Sequence, residues 1–215
     1  MTENGAHHYT RPDDALHTIV ETCGRDCGCY EVKIWNSEDS DVALAQGEIG
    51  EIGGRGACLM LGYFGDQAAT EGAMNRFGWF MSGDLGRIDE GGNLQVIGRK
   101  KDVIIRGGRN IYPSRIEDAA RSHPAVLKVA AFPMADERLG EKVAVAVVLR
   151  EGKKLAAQEL LAHLDQCGIS RYDMPEYFAA LDSIPVTPSG KLFKRGLIEQ
   201  VRTGQVIPRA VRWGG

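Results

Sequence analysis

The sequence lacks a long apolar run. The longest, Val143 to Leu149, falls far short of the roughly 20 residues a membrane-spanning helix needs. The opening Thr2–His8 is polar and has no apolar core of a secretion signal, so the expected location is the cytoplasm. An excess of one charge is missing too. Lys and Arg total 26 against 29 Asp and Glu, and a net charge of −3 gives no electrostatic footprint for a nucleic-acid binder. Cysteine is scarce and odd in number, five in all. Cys23, Cys27 and Cys29 crowd together while Cys58 and Cys167 stand alone, which is no disulfide framework. The C-x-x-x-C-x-C spacing lacks the paired C-x-x-C knuckles and neighbouring histidines of a structural zinc site, so these thiols read as incidental or buried and no protein-held zinc is expected. Internal repeats and low-complexity segments are also lacking.

With 43% hydrophobic and 26% charged residues over 215 positions, the chain has the composition of one or two ordinary globular domains. Glycine is abundant instead: 27 of 215, about 13% against a usual roughly 7%. Between Gly28 and Gly98 it separates brief apolar runs: Tyr30–Trp35, Glu48–Ile52, Ala57–Tyr63, Leu85–Ile88 and Leu94–Ile97. This predicts a mainly β unit over residues 1–98, interrupted by a helix over Asp66–Asn75 with Asp66 as N-cap.

Beyond Gly98 the pattern alternates between strand and helix, which predicts an α+β unit over residues 99–215 with a short sheet flanked by helices. Strands are expected at Val103–Arg106, Val126–Phe132, Val143–Leu149 and Tyr177–Leu181. Ser114 and Glu117 have capping-box spacing for a helix ending near Ser122. Pro133–Gly140 reads as a turn-rich connection. Ala156–Gln166 places Leu160, Leu161 and Leu164 on one face and stops at Gly168. A last helix is expected over Phe193–Val201.

Three segments put a charged group beside glycine: Gly78–Asp84, Gly98–Gly108 and Pro185–Lys191. A carboxylate in a glycine-flanked turn, as at Asp84, can grip a cis-diol, although turn aspartates are common. Arg99 at the boundary could reach a ribose or phosphate oxygen, or be a solvated surface arginine. Lys191 ends a loop stiffened by Pro185 and Pro188 and freed by Gly190, which suits a mobile point charge arriving at a phosphate. Gly107-Gly108 is either a plain strand-end turn or a place where a slender ligand passes bare backbone.

Together these segments resemble the adenylate-forming acyl-CoA synthetase superfamily, which includes acyl-CoA ligases, luciferases and peptide-synthetase adenylation domains. GEIGEIGGRGACLMLGYFGD is similar to its strand-rich GE(L/I)xxxGxxxxxGY segment, and GWFMSGDLGRID to its GW(F/Y)xTGD segment. GRKKDVIIRGGRNIYPSRIED resembles its hinge segment, and PVTPSGKLFKR its carboxy-terminal lysine segment. Order and spacing agree over nearly the whole chain.

The resemblance implies a two-step reaction. ATP and a carboxylic acid give an acyl-adenylate and pyrophosphate, and coenzyme A then displaces AMP to form a thioester. It implies that Asp84 binds the ribose hydroxyls, that Arg99 binds the ribose and phosphate edge, and that Lys191 is the catalytic lysine of adenylation. It places Lys101 at the hinge (near 99–102) on which a mobile carboxy-terminal domain turns, and Gly107 and Gly108 along the pantetheine tunnel. Met1-Thr2-Glu3 resembles the end of the YG(M/L)TE segment, so Thr2 is implied at the α-phosphate and Glu3 at a magnesium ion carried by ATP. Ser82 stands where threonine is commoner, and Lys101 fits the medium-chain, aryl and luciferase-like branches.

No phosphate loop of the (S/T)(S/T/G)GTTGxPKG kind occurs in the sequence. The expectation is therefore the carboxy-terminal part of an AMP-forming acid-CoA ligase, beginning inside the amino-terminal domain and inactive alone. Its expected partners are the missing amino-terminal domain, or a second copy through the surface thus exposed, and a small carboxylic acid. The alternative is a non-catalytic remnant that binds nucleotide, coenzyme A or a protein partner.

Overall fold

The computed structural model describes residues 1–214 and divides into two compact units, Met1–Lys101 and Asp102–Gly215. The first contains β1 (His8–Tyr9), α1 (Leu16–Glu21), β2 (Arg25–Asp26), β3 (Tyr30–Trp35), β4 (Gly50–Gly56), α2 (Gln67–Gly72), β5 (Phe80–Ile88) and β6 (Leu94–Arg99). Strands β3 to β6 form an antiparallel sheet in chain order, and β1 pairs with β2. Ile34, Ile52 and Leu94 are buried at its centre, with Val32, Leu44 and Ile88 packed around them.

The glycines of β4 have a packing reason. A Cβ at Gly53 would lie 2.4 Å from the Trp35 indole nitrogen, and one at Gly54 2.4 Å from the Tyr30 ring. The bare backbone is the surface on which the two β3 rings lie, and any side chain there would displace them.

Ala57–Tyr63, expected as a strand, is not one: β4 ends at Gly56, where its register partner Tyr30 begins β3, so nothing remains for the following residues to pair with. They turn instead, and the Met60 N–H donates to the Glu3 carbonyl at 2.8 Å. The helix expected to reach Asn75 stops at Gly72. Asp66 caps it, accepting the Ala69 N–H at 2.9 Å, but Met74 is drawn into a bridge with Phe80.

The second unit contains β7 (Ile104–Arg106), β8 (Arg109–Ile111), α3 (Pro113–Arg121), β9 (Val126–Asp136), β10 (Gly140–Leu149), α4 (Ala157–Gln166), β11 (Tyr177–Leu181), α5 (Lys194–Arg202) and β12 (Arg209–Ala210). This is an α+β fold. β10 is the spine of a six-stranded sheet, antiparallel to β9 and β7 and parallel to β11. Side chains alternate along it with the period of two that a strand imposes. Val143, Val145 and Val147 join Ile116, Leu160, Leu161 and Leu164 in one core cluster, while Ala144, Ala146 and Val148 join Phe132, Ala179 and Leu197 in the other. Helices α3 and α4 thus cover one face and α5 the opposite one.

Two local expectations are corrected here. Pro133–Gly140 is not all turn: β9 runs through to Asp136, with Pro133 opposite Val143, so the connection shrinks to a tight hairpin. The Ser114–Glu117 capping box does not form. Pro113 opens α3, Tyr112 is the N-cap residue without a side-chain cap, and Ser114 lies within the helix. Glu117 is buried and turned inward, accepting the Ala131 N–H at 2.8 Å and the Lys194 ammonium at 2.7 Å.

Candidate functional site

In the first unit, β5 and β6 carry Asp84 and Arg99 as direct register partners, and the Arg99 Nε lies 2.8 Å from an Asp84 carboxylate oxygen. The sheet register brings them together although a whole hairpin separates them in the chain. Gly83, at φ +71°, lies within β5 where its register with β4 shifts, just before Asp84, whose N–H donates to the Ser82 hydroxyl at 3.1 Å. Asp84 is partly withdrawn from water, and this desolvation raises its carboxyl above the ordinary range against the pull of Arg99, the amino-terminal ammonium and Lys101, with the Glu51 charge adding to the rise.

Glu51, which motif reading does not single out, is the supporting group. It is buried on β4, accepts the Gly83 N–H at 3.0 Å and holds the Lys100 ammonium at 2.6 Å. Two carboxylate–cation pairs thus form in this part of the sheet, and in each the carboxylate is the more buried partner while the cation reaches solvent. Lys101 follows in the short 3₁₀ turn Lys100–Asp102, exposed. Thr2 is exposed, and its neighbour Met1 puts the ammonium within electrostatic reach of Asp84. Glu3 is half-buried and accepts the Tyr63 hydroxyl at 3.4 Å. Among the described residues no group of three or more His, Cys, Asp or Glu is arranged to hold a metal. A single carboxylate is still compatible with Mg²⁺ where substrate phosphates and water supply the other ligands.

In the second unit, Gly107 and Gly108 are the two-residue loop of the β7–β8 hairpin, with φ values of +58° and +80°. Positive φ at both positions is what a type I′ turn demands. The Gly107 N–H donates to the Leu139 carbonyl at 2.8 Å, whereas a Cβ at Gly108 would meet open space. The flanking arginines are fixed: Arg106 is bidentate to Glu176 at 2.9 and 3.0 Å, and Arg109 pairs with Asp173 at 3.1 Å. Neither acidic residue carries a signal in sequence, because each matters only through its partner.

Lys191 closes the turn between β11 and α5. The Thr187 N–H donates to the Lys191 carbonyl at 2.7 Å, the Lys191 N–H to the Thr187 hydroxyl at 3.2 Å, and Gly190 takes φ +81°. Val186 and Leu192 bridge across the base. The backbone is therefore tied while the Lys191 side chain stays exposed, with no ion pair among the described residues. The lysine that begins α5, Lys194, is anchored in contrast on buried Glu117.

The first unit thus holds a partly exposed carboxylate–arginine pair, and the second an exposed lysine on a tied turn. Residues 115–191 match the AMP-binding enzyme C-terminal domain family. The chain is 37% identical over 189 residues to the bovine mitochondrial medium-chain acyl-CoA ligase ACSF2, covering 88% of this chain and 30% of that protein. It is 36% identical over 194 residues to the medium-chain fatty-acid–CoA ligase of Escherichia coli, covering 90% of this chain and 34% of that one. The O-succinylbenzoate coenzyme A synthetase of Bacillus subtilis, solved in complex with AMP, superposes with a TM-score of 0.83 at 31% identity over 92% of this chain and 39% of that one. Residues 115–191 thus match the C-terminal domain of AMP-binding enzymes, and the chain as a whole is similar to the carboxy-terminal part of acyl-CoA ligases. It spans about a third of the length of the curated relatives it matches. Among the described residues no helix is long and apolar enough to cross a membrane.

Proposed function

We propose that this chain supplies the carboxy-terminal machinery of a carboxylic acid–CoA ligase. Asp84 accepts both ribose hydroxyls of the nucleotide, and Arg99, released from the ion pair, turns to the ribose and α-phosphate edge. Lys191 brings its ammonium to the carboxylate and α-phosphate oxygens as negative charge develops on them during adenylation, and so stabilises that transition state. Thr2 donates to the α-phosphate. Glu3 contributes one carboxylate to a magnesium ion otherwise held by the ATP phosphates, where the ion neutralises phosphate charge.

Lys101 is the pivot between residues 1–98, the β-rich end of the amino-terminal domain, and residues 99–215, the domain that moves between the half-reactions. Gly107 and Gly108, without side chains, let pantetheine pass so that the coenzyme A thiolate can displace AMP. The acid is a small carboxylic acid of fatty, cyclic or aromatic type. With no phosphate-loop segment in its sequence, the chain alone ligates little or nothing. Its natural partner is the region that carries that loop; without it, the chain pairs with itself.

The observation that carries this reading is the Asp84–Arg99 register pair beside the Glu51–Lys100 anchor. It is tested by pyrophosphate release from ATP with magnesium, a panel of medium-chain and aromatic acids, and coenzyme A, run beside calorimetric titration with AMP. The expected result is AMP binding without appreciable turnover. Turnover at the rate of a full-length relative would overturn the assignment of inactivity, and failure to bind AMP would overturn the site.

A further inference from the structure

Three of the five cysteines, Cys27, Cys29 and Cys58, lie together in the first unit. Cys27 leaves β2 and Cys29 leads into β3. Between them Gly28, at φ +74°, folds the chain so that both side chains meet, with the sulfurs 3.2 Å apart. In an extended strand, residues two apart share a face but stand about 7 Å from one another, so the glycine turn creates the contact. Backbone bonds on either side hold the corner in place. The Cys27 N–H donates to the His7 carbonyl at 3.0 Å, and the Cys29 carbonyl accepts the Ala57 N–H at 3.2 Å. Cys58, next along, brings a third sulfur to Cys29. Cys29 and Cys58 are exposed and Cys27 half-buried, unlike the apolar burial that keeps structural thiols inert.

We propose that Cys27 and Cys29 are a reversible dithiol site, oxidised to an intrachain disulfide by small-molecule disulfides such as oxidised glutathione. The Cys27 thiolate attacks one sulfur of the oxidant and expels a glutathione thiolate, leaving a mixed disulfide. The Cys29 thiolate then attacks the Cys27 sulfur and expels the second. Two thiols lose their protons and two electrons pass to the oxidant, which leaves as two molecules of reduced glutathione. The sulfurs need to close by about 1 Å to reach bonding distance.

The two sulfurs share a hydrogen bond, which couples their protons. The sulfur–sulfur hydrogen bond lowers the Cys27 thiol and pushes Cys29 up to about 11. Cys23, before β2, and Cys167, at the C-terminal end of α4, are exposed thiols outside this pair and serve as internal controls. The bond would close the corner against which residues 6 and 7 rest, since the Cys27 sulfur contacts the Ala6 carbonyl at 3.8 Å and the His7 ring stacks on Tyr30.

Peptide mapping tests the proposal on the intact chain. Trypsin releases residues 26–33 with Cys27 and Cys29 together and residues 56–76 with Cys58. After exposure to oxidised glutathione and blocking of the remaining thiols, the expected 26–33 peptide is lighter than its reduced form by two hydrogens, unalkylated, and restored by dithiothreitol. Alkylatable thiols then fall from the five in the sequence by two. Cys58→Ser should leave this product, and either Cys27→Ser or Cys29→Ser should abolish it. A 26–33 peptide alkylated at both cysteines, one retaining glutathione, or one linked to the 56–76 peptide or to a second chain would overturn the assignment.

Discussion

Asp84 and Arg99 sit opposite one another in the β5–β6 ladder, their charged groups 2.8 Å apart, and the aspartate is the more withdrawn from water. The arginine is more than half exposed, so the pair contributes little to stability, in the range of about 0–1 kcal/mol typical of surface ion pairs. Asp84→Asn should therefore leave the thermal transition of the first unit nearly unmoved while weakening AMP binding by roughly 10-fold or more, the scale of a lost charged hydrogen bond. Calorimetry on both proteins reads the two quantities together.

Glu117 carries a structural load that its neighbours in sequence do not reveal. It is 9% exposed and satisfies both the Ala131 N–H and the Lys194 ammonium. Glu117→Ala strands a half-buried lysine and a backbone donor, and should cost the second unit about 3 kcal/mol or more. In differential scanning calorimetry its transition should fall by roughly 10 °C or more. A shift under a few degrees would contradict the clamp.

The β9–β10 hairpin should respond to acid. The Lys142 ammonium, with the Leu139 and Arg138 N–H groups, draws the Asp136 carboxyl down to about 2. A folded-state value below the unfolded one contributes stability that is complete above the unfolded value, near 3.9, and is lost as pH falls through about 2. The native chain should exceed Asp136→Asn in urea midpoint at pH 5, and the difference should vanish by about pH 2. A difference that persists there would contradict the assignment.

Leu61 and Phe64 project from the turn after β4, both essentially fully exposed. Paired apolar side chains so placed favour association. Light scattering should show concentration-dependent self-association that Leu61→Ser with Phe64→Ser reduces. A clean monomer at high concentration would contradict it.

Much of this architecture is legible in the residues themselves. Val143–Val147 alternates valine with alanine along β10, which has helices on both faces, and Leu160, Leu161 and Leu164 recur at helical spacing because α4 buries one stripe. Asp84 and Lys191 stand out beside glycine, but composition alone reads them equally as ordinary turn residues, and their roles come only from the resemblance. What local reading misses is what depends on distant partners. Glu51 looks like any strand glutamate until Lys100 and Gly83 close on it, and Glu117 imitates a capping residue while serving a core. Ala57–Tyr63 has the apolar texture of a strand but no edge to pair with.

Lys191 should prove dispensable for folding. It is exposed and without an ion pair among the described residues, so Lys191→Ala should change stability by no more than about 0.5 kcal/mol. Circular dichroism melts would show this. A large loss would make Lys191 a structural residue rather than the mobile charge of adenylation.

The most direct test of the central claim is isothermal titration of the chain with AMP, repeated on Asp84→Ala. The account predicts saturable binding that the substitution abolishes. Binding that survives Asp84→Ala unchanged, or no binding by the native chain, would contradict it.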